Sequence, residues 1–126
     1  MIHALLITAL LGVTPIHQLI DDKRWDEAES QLDSVSPVVR PRFEGLIAQG
    51  RGNLQKAVIA FERALENTPK QPRLHLYASH AYLEMKYFSD ALRHAETAKA
   101  LSDESLAQAL LEARALEGLN RKADAY

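Results

Sequence analysis

The stretch GNLQKAVIAFERALENTPKQP, residues 52–72, contains a polar turn, an amphipathic helical segment and a closing proline. The same layout returns further along the chain in KYFSDALRHAETAKALSDESL, residues 86–106. A helix–turn–helix unit with a period of about 34 residues is typical of stacked repeats, in which each unit buries its apolar face against its neighbours. The repetition therefore predicts an all-α fold.

Small residues set the register of this repeat. Three sets of them recur with the same period as the two stretches: Ala57, Ala91 and Ala125; Ala64 and Ala98; and Gly45, Ser79 and Ala113. Antiparallel helices can approach closely only where no large side chain intrudes, so small residues are expected at the contacts. The predicted core comprises Leu32, Leu46, Ala57, Phe61, Ala64, Leu65, Tyr82, Ala91, Leu92 and Ala98.

Helix-start and helix-stop signals divide the chain further. The dipeptide Thr14–Pro15 predicts a helix start with a hydroxyl cap, and Pro37 and Pro41 predict a break. Asn53 is expected to cap the helix that follows it. Asn120 predicts a turn after the last long helix.

The units resemble the tetratricopeptide repeat (TPR) family. The best unit fills the family's small, turn, alanine, aromatic, alanine and proline positions with Gly45, Gly52, Ala57, Phe61, Ala64 and Pro69. The next unit keeps the small and alanine positions but has Ala95 in place of the aromatic residue and Asp103 in place of proline. A shortened unit around Trp25 and Ala28 precedes them, and a unit with Ala113 follows.

This resemblance covers about residues 15–126 and implies a right-handed α-solenoid of antiparallel helix pairs. We expect about three to four pairs, of which the last is incomplete. The units are predicted at about residues 14–37, 38–71, 72–105 and 106–126, after an apolar N-terminal segment, residues 1–13.

The N-terminal segment contains an uncharged run, Ala4–Val13. It is shorter than the roughly 20 residues of a membrane-spanning helix and suits the core of an export signal. No lysine or arginine precedes it and no clear cleavage site follows, so an extra helix packed on the domain is the alternative. We expect an exported, periplasmic or membrane-anchored protein, with a cytoplasmic location as the alternative.

Composition argues against several classes of function. The net charge of −2 gives no basic footprint for nucleic acid, and the absence of cysteine excludes disulfides and thiolate metal sites. No two of the five histidines lie three or four residues apart, as a helical metal pair requires. We therefore expect no enzyme activity, no cofactor, no metal and no nucleic-acid partner. Membrane contact would involve only residues 1–13.

The TPR resemblance implies a concave groove, lined by the first helix of each pair, that takes an extended peptide or a partner helix. The residues mapped to it are Arg42, Phe43, Leu46, Arg73, Leu76, Tyr77, His80, Leu110 and Arg114. Arginines beside aromatic residues often anchor interfaces, and here the arginines outnumber Glu84 and Glu117. The alternative is that Phe43 and Leu76 pack between repeats while the arginines are solvated.

The function expected from this resemblance is a protein–protein interaction scaffold or adaptor. Two alternatives remain open: a structural helical subunit of a larger assembly, and a fragment of a longer repeat protein. The last helix carries Leu110, Leu111, Ala113 and Leu116 on a face that a following helix would partly cover. Self-association through this open end is therefore a further expectation.

Overall fold

The computed structural model describes residues 14–102 and 106–124, which form seven α-helices and one 3₁₀ turn and contain no strand. The elements are α1 Ile16–Asp21, α2 Trp25–Ser30, the 3₁₀ turn Leu32–Ser34, α3 Arg40–Gly50, α4 Leu54–Asn67, α5 Pro72–Glu84, α6 Phe88–Leu101 and α7 Leu106–Asp124. Helices α1–α2, α3–α4 and α5–α6 form three pairs, and α7 packs on the third. The predicted all-α solenoid of antiparallel helix pairs is confirmed for the described residues.

Several predictions concern residues outside the described ranges. These predictions concern the N-terminal segment, residues 1–13, and the residues Asp103 and Ala125. Among the helices that the structure describes, none is both long and apolar enough to span a membrane.

The turns inside the three pairs have the same backbone geometry. Each contains one residue with a positive φ: Lys23 at 59°, Gly52 at 81° and Lys86 at 63°. In each turn the next N–H donates to the carbonyl five residues earlier, as in Arg24 to Leu19, Asn53 to Ala48 and Tyr87 to Tyr82. A left-handed residue closes a helix in this way because it turns the chain back over the last carbonyls.

The pair α3–α4 packs around Phe61, which is fully buried. A Cβ atom on Gly45 would lie 2.4 Å from Cε1 of Phe61, so the ring occupies the space that glycine leaves. Tyr77 of α5 stacks on the same ring with 5.7 Å between centroids. Phe61 therefore joins its own pair to the next one.

The pair α5–α6 repeats this contact with a polar side chain. Ser79 occupies the position of Gly45 in the next repeat; it is fully buried, and its Oγ donates to the carbonyl of Ala91 at 2.8 Å. Most of the predicted core is buried, namely Ala57, Phe61, Ala64, Leu65, Ala91 and Ala98. Leu32, Leu46, Tyr82 and Leu92 are only partly buried. The small-residue register is thus correct.

Aromatic residues at the start of second helices determine the spacing between pairs. Trp25 begins α2 and lies against Gly50 of α3, where a Cβ atom would be 2.2 Å from the indole ring. Phe88 begins α6 and lies against Gly118 of α7, where a Cβ atom would be 2.3 Å from Cδ1 of the phenyl ring. These glycines allow the next first helix to approach the preceding pair.

Two of the predicted boundaries are wrong. Thr14 does not cap α1, because the helix begins at Ile16 and Pro15 takes the cap position; the Thr14 carbonyl instead accepts from the amide of Gln31 at 2.7 Å. The turn predicted at Asn120 is absent, because α7 continues to Asp124. An ion pair of 2.7 Å between Arg121 and Glu117 spans Asn120 and favours the helix there. The cap at Asn53 is confirmed, since its side chain accepts from the N–H of Lys56.

Candidate protein-binding face

The first helices α3, α5 and α7 lie side by side, since α3 contacts α5 and α5 contacts α7. On each of them, residues spaced by three and four positions lie on one side of the helix. We call these residues together the first-helix face: Arg42, Leu46 and Gln49 on α3; Arg73, Leu76, His80 and Glu84 on α5; and Leu110, Arg114 and Glu117 on α7.

A polar contact joins α3 and α5 across this face. The side-chain amide of Gln49 lies 2.7 Å from Nδ1 of His80 and donates to Oε1 of Glu84 at 3.2 Å. Nδ1 of His80 also lies 3.0 Å from Oε1 of Glu84. The contact shows that these stripes of the two helices face each other, and it gives the carboxylate of Glu84 a hydrogen-bond donor.

Leucines form the apolar part of the first-helix face. Leu46 and Leu76 are partly buried, and Leu46 packs against the core on both sides of α3. Leu110 is 51% exposed. The face therefore offers apolar contact area that the described part of the chain does not cover.

Three arginines of the first-helix face have no ion-pair partner among the described residues: Arg42, Arg73 and Arg114. Of the six arginines elsewhere, four have one, namely Arg24, Arg51, Arg93 and Arg121, whereas Arg40 and Arg63 have none among the described residues. The guanidinium carbon of Arg42 lies 4.9 Å from the centre of the Phe43 ring. Glu117 is paired with Arg121 and Glu84 contacts Gln49 and His80, so neither carboxylate of the face forms an ion pair with these three arginines.

Two residues predicted to line the groove pack against the core, one of them buried and the other partly buried. Phe43 is only 8% exposed and packs with Ile16 and Leu19, so it holds α3 on the first pair. Tyr77 is partly buried and stacks on Phe61. Each is next in sequence to a residue of the face, and the rotation of about 100° per residue turns it toward the core.

Sequence reasoning missed a buried polar cluster on the other side of α5. Nδ1 of His75 lies 3.0 Å from Nδ1 of His94, and Nε2 of His94 lies 2.6 Å from Oε1 of Glu62. The search for histidines on one helix could not find this pair, which joins α5 to α6. The matching positions of the preceding unit, Pro41 and Ala60, are buried as well, although the predicted core does not include them.

Within residues 14–102 and 106–124, no group of three or more acidic or histidine side chains is arranged to hold a metal ion. The polar cluster contains two histidines and one carboxylate whose nitrogen and oxygen atoms face one another at hydrogen-bond distances. Its geometry is that of a chain of hydrogen bonds.

Comparisons with known proteins agree with the repeat geometry. No protein-family model matches the sequence, and no curated protein sequence matches it. PcrH in complex with the chaperone binding region of PopB has a TM-score of 0.63 at 18% identity, over 82% of this chain and 87% of that chain. PcrH from Pseudomonas aeruginosa has a TM-score of 0.57 at 19% identity, over 84% and 89%. The fold is a TPR-like helical repeat.

Proposed function

We propose that this protein is a helical-repeat scaffold that binds a segment of a partner protein along the first-helix face. The observation that carries the proposal is the combination of partly exposed leucines with three arginines that have no ion-pair partner in the described chain. The PcrH structure with the chaperone binding region of PopB supports it by analogy, since a similar fold is seen there with part of another protein.

The charges of the face specify the chemistry of the bound segment. Glu84 and Glu117 already have partners, whereas Arg42, Arg73 and Arg114 do not have one among the described residues. A guanidinium forms its strongest contacts with carboxylates, and charge complementarity selects among partners. We therefore expect a segment that presents both apolar side chains and carboxylates to the face.

The size of the face sets the length of a suitable probe. Packed helices lie about 8–10 Å apart, so the path from α3 to α7 covers about 20 Å. An extended peptide rises about 3.3 Å per residue, so about ten residues cross the face with a margin at each end. A suitable probe alternates leucine and glutamate at its odd positions and has serine at its even positions, because odd residues share one side of an extended chain.

Fluorescence anisotropy at low ionic strength tests the proposal with this peptide and with a copy in which glutamine replaces each glutamate. We expect the acidic peptide to bind more tightly and its advantage to shrink as salt is added. Arg73→Gln and Arg114→Gln should each weaken its binding by about 1.4- to fivefold, since an exposed ion pair contributes about 0.2–1 kcal/mol. Leu110→Ser should weaken the binding of both peptides.

Arg63→Gln is the matched control, because Arg63 is an exposed arginine on α4, outside the first-helix face. Equal binding of the two peptides would contradict the expected acidic character. If Arg73→Gln, Arg114→Gln and Leu110→Ser all bind as the unchanged protein does, the face is not the binding site. Circular dichroism should show that every variant keeps its helices.

A second candidate function is a structural subunit that docks through α7. Ala113 is exposed, although Gly45 and Ser79 at the matching positions are buried against the helix that follows. Leu116, on the same side of α7, is 43% exposed, whereas Leu111 is buried. Light scattering tests this candidate: a concentration-dependent mass that Leu116→Ser abolishes would support it, and a monomer at every concentration would contradict self-association.

A further inference from the structure

The buried histidines form a chain of hydrogen bonds whose direction is fixed at one end. Nε2 of His75 lies 2.8 Å from the carbonyl oxygen of Pro69, which can only accept, so this nitrogen carries a proton. In the neutral ring of His75, Nδ1 is then an acceptor. It lies 3.0 Å from Nδ1 of His94, which must therefore donate.

The remaining nitrogen of His94 has two competing neighbours. Its Nε2 lies 2.6 Å from Oε1 of Glu62 on α4 and 3.2 Å from a guanidinium nitrogen of Arg93 on α6. A carboxylate accepts and a guanidinium donates, so the two neighbours require opposite states of the same atom. A proton on Nε2 satisfies Glu62, and a free lone pair satisfies Arg93.

We propose that His94 is a proton-controlled joint between the second and third helix pairs. The protonated ring donates Nε2–H to Glu62 and links α6 to α4. The neutral ring, with its proton on Nδ1, accepts from Arg93 of its own helix, and Glu62 turns into water. Both states keep the bond to His75, so protonation changes only the link between the pairs.

The burial pattern suits such an exchange. The side chain of His94 is 2% exposed, whereas those of Glu62 and Arg93 are 42% and 57% exposed. Either partner can turn away from the ring into solvent, because its side chain is already about half exposed. The ring itself stays in place, because Tyr82 of α5 stacks on it nearly parallel, with 5.6 Å between centroids.

The titratable groups around His94 come from three helices: Glu62 on α4, His75 and Tyr82 on α5, and Arg93 and Asp90 on α6. Burial lowers the pKa of His94, and Arg93 and His75 act in the same direction, whereas Glu62 opposes them by charge and hydrogen bonding. Burial and the charges of Glu62 and Asp90 raise the pKa of Tyr82, so its phenol stays neutral over the range in which histidine titrates.

The sign of the pH effect follows from the lowered pKa of His94. As the pH falls below about 6.5, the unfolded chain takes up this proton before the folded chain does. The folding equilibrium constant therefore decreases with acidification, by up to tenfold per pH unit, until the folded ring is protonated. The Glu62 link forms at the acidic end of this range, where the folded ring takes up its proton, so acid makes this link after the whole fold has lost stability.

Nitrogen-15 NMR of the histidine rings in the full chain tests the proposal between about pH 8 and pH 5. At the alkaline end, His94 should show a protonated Nδ1 and a free Nε2. Glu62→Gln should lower the titration midpoint of His94, because the carboxylate that stabilises the imidazolium is gone. Arg93→Ala should raise the midpoint, because the neutral ring loses its donor and a neighbouring cation disappears.

Both changes affect half-exposed side chains, so the variants should fold, and Arg63→Gln on α4 is a charge-matched control that should leave the midpoint unchanged. The two charges alone produce opposite shifts, so the deciding result is the state of Nε2, which should be free at about pH 8 and protonated at about pH 5. The proposal fails if the midpoint moves in neither variant or in the same direction in both. A proton on Nε2 of His94 at about pH 8 would also overturn it.

Discussion

The pairs α3–α4 and α5–α6 have the same backbone and turn, yet their interiors differ. The second pair is apolar where the third is polar, as the residues at matching repeat positions show: Pro41 and His75, Gly45 and Ser79, and Ala60 and His94. In α3–α4 the ring of Phe61 fills the gap that Gly45 leaves. In α5–α6 the interior contains Ser79, His75 and His94, and each of these side chains forms a hydrogen bond.

The difference shows that the repeat specifies volume and spacing but leaves the chemistry of the interior open. Phe61 is buried because of its size, so removing atoms there leaves a cavity. His94 is buried because each nitrogen has a partner, so removing a partner leaves a desolvated polar atom. Only the polar interior can respond to pH.

The largest expected effect comes from emptying the apolar interior. Phe61→Ala should lower the free energy of unfolding by about 3–5 kcal/mol, because the ring is fully buried and contacts both Gly45 and Tyr77. Urea denaturation followed by circular dichroism measures the loss. Ile59→Ala on the same helix is the control, since Ile59 is 50% exposed and its loss should change stability by less than about 0.5 kcal/mol. Similar losses in both variants would contradict the assigned core.

The second prediction concerns the contact between Gly45 and Phe61. Gly45→Ala should destabilise the protein by about 1–3 kcal/mol, because the new Cβ atom would lie 2.4 Å from the ring and the ring has no free space to move into. The cost of the clash should therefore exceed the gain of about 1 kcal/mol in helix propensity that alanine brings over glycine in a helix interior. The measurement is the same urea titration.

A double variant isolates the cause of that loss. In a Phe61→Ala background the clash is gone, so Gly45→Ala should become neutral or stabilising. At the matching position of the third pair, Ser79→Ala should cost only about 1 kcal/mol, the value of one hydrogen bond to the Ala91 carbonyl. If Gly45→Ala is equally harmful in both backgrounds, backbone effects rather than the ring explain the glycine.

The sequence was sufficient to predict the repeat, because the small residues at contacts and the turn positions depend on local spacing. It failed at Asn120, where the repeat register predicts a turn but the ion pair between Glu117 and Arg121 continues the helix. The 34-residue repeat predicts where a turn falls in a typical unit. It does not give the balance between helix and turn in one particular unit.

The candidate site was predicted less well than the fold. Arg73 and Leu76 lie on the first-helix face, whereas Phe43 is buried and Tyr77 is partly buried against the core. One residue of displacement rotates a helical side chain by about 100°, so an error of one position exchanges surface for interior. The His75–His94 contact could not be read from either helix alone, because it depends on how α5 and α6 face each other.

The smallest expected effect concerns the turns, where the two pairs differ by Gly52 and Lys86. Both residues have a positive φ, which costs a side-chain-bearing residue about 1 kcal/mol or more and costs glycine little. Lys86→Gly should therefore stabilise the protein by up to about 1 kcal/mol, after the greater chain entropy of unfolded glycine is subtracted. Gly52→Ala should have the opposite sign, and because nothing lies within 4 Å of a Cβ there, its cost would come from the backbone alone.

Lys86→Asn is the control that separates backbone strain from the lost lysine side chain. Asparagine tolerates the left-handed region better than lysine, so this variant should recover part of the gain of Lys86→Gly. Lys86→Ala removes the long side chain but keeps a Cβ atom and should show no such gain. If alanine stabilises the protein as much as glycine does, the effect arises from the lysine charge, and the two turns do not differ in backbone strain.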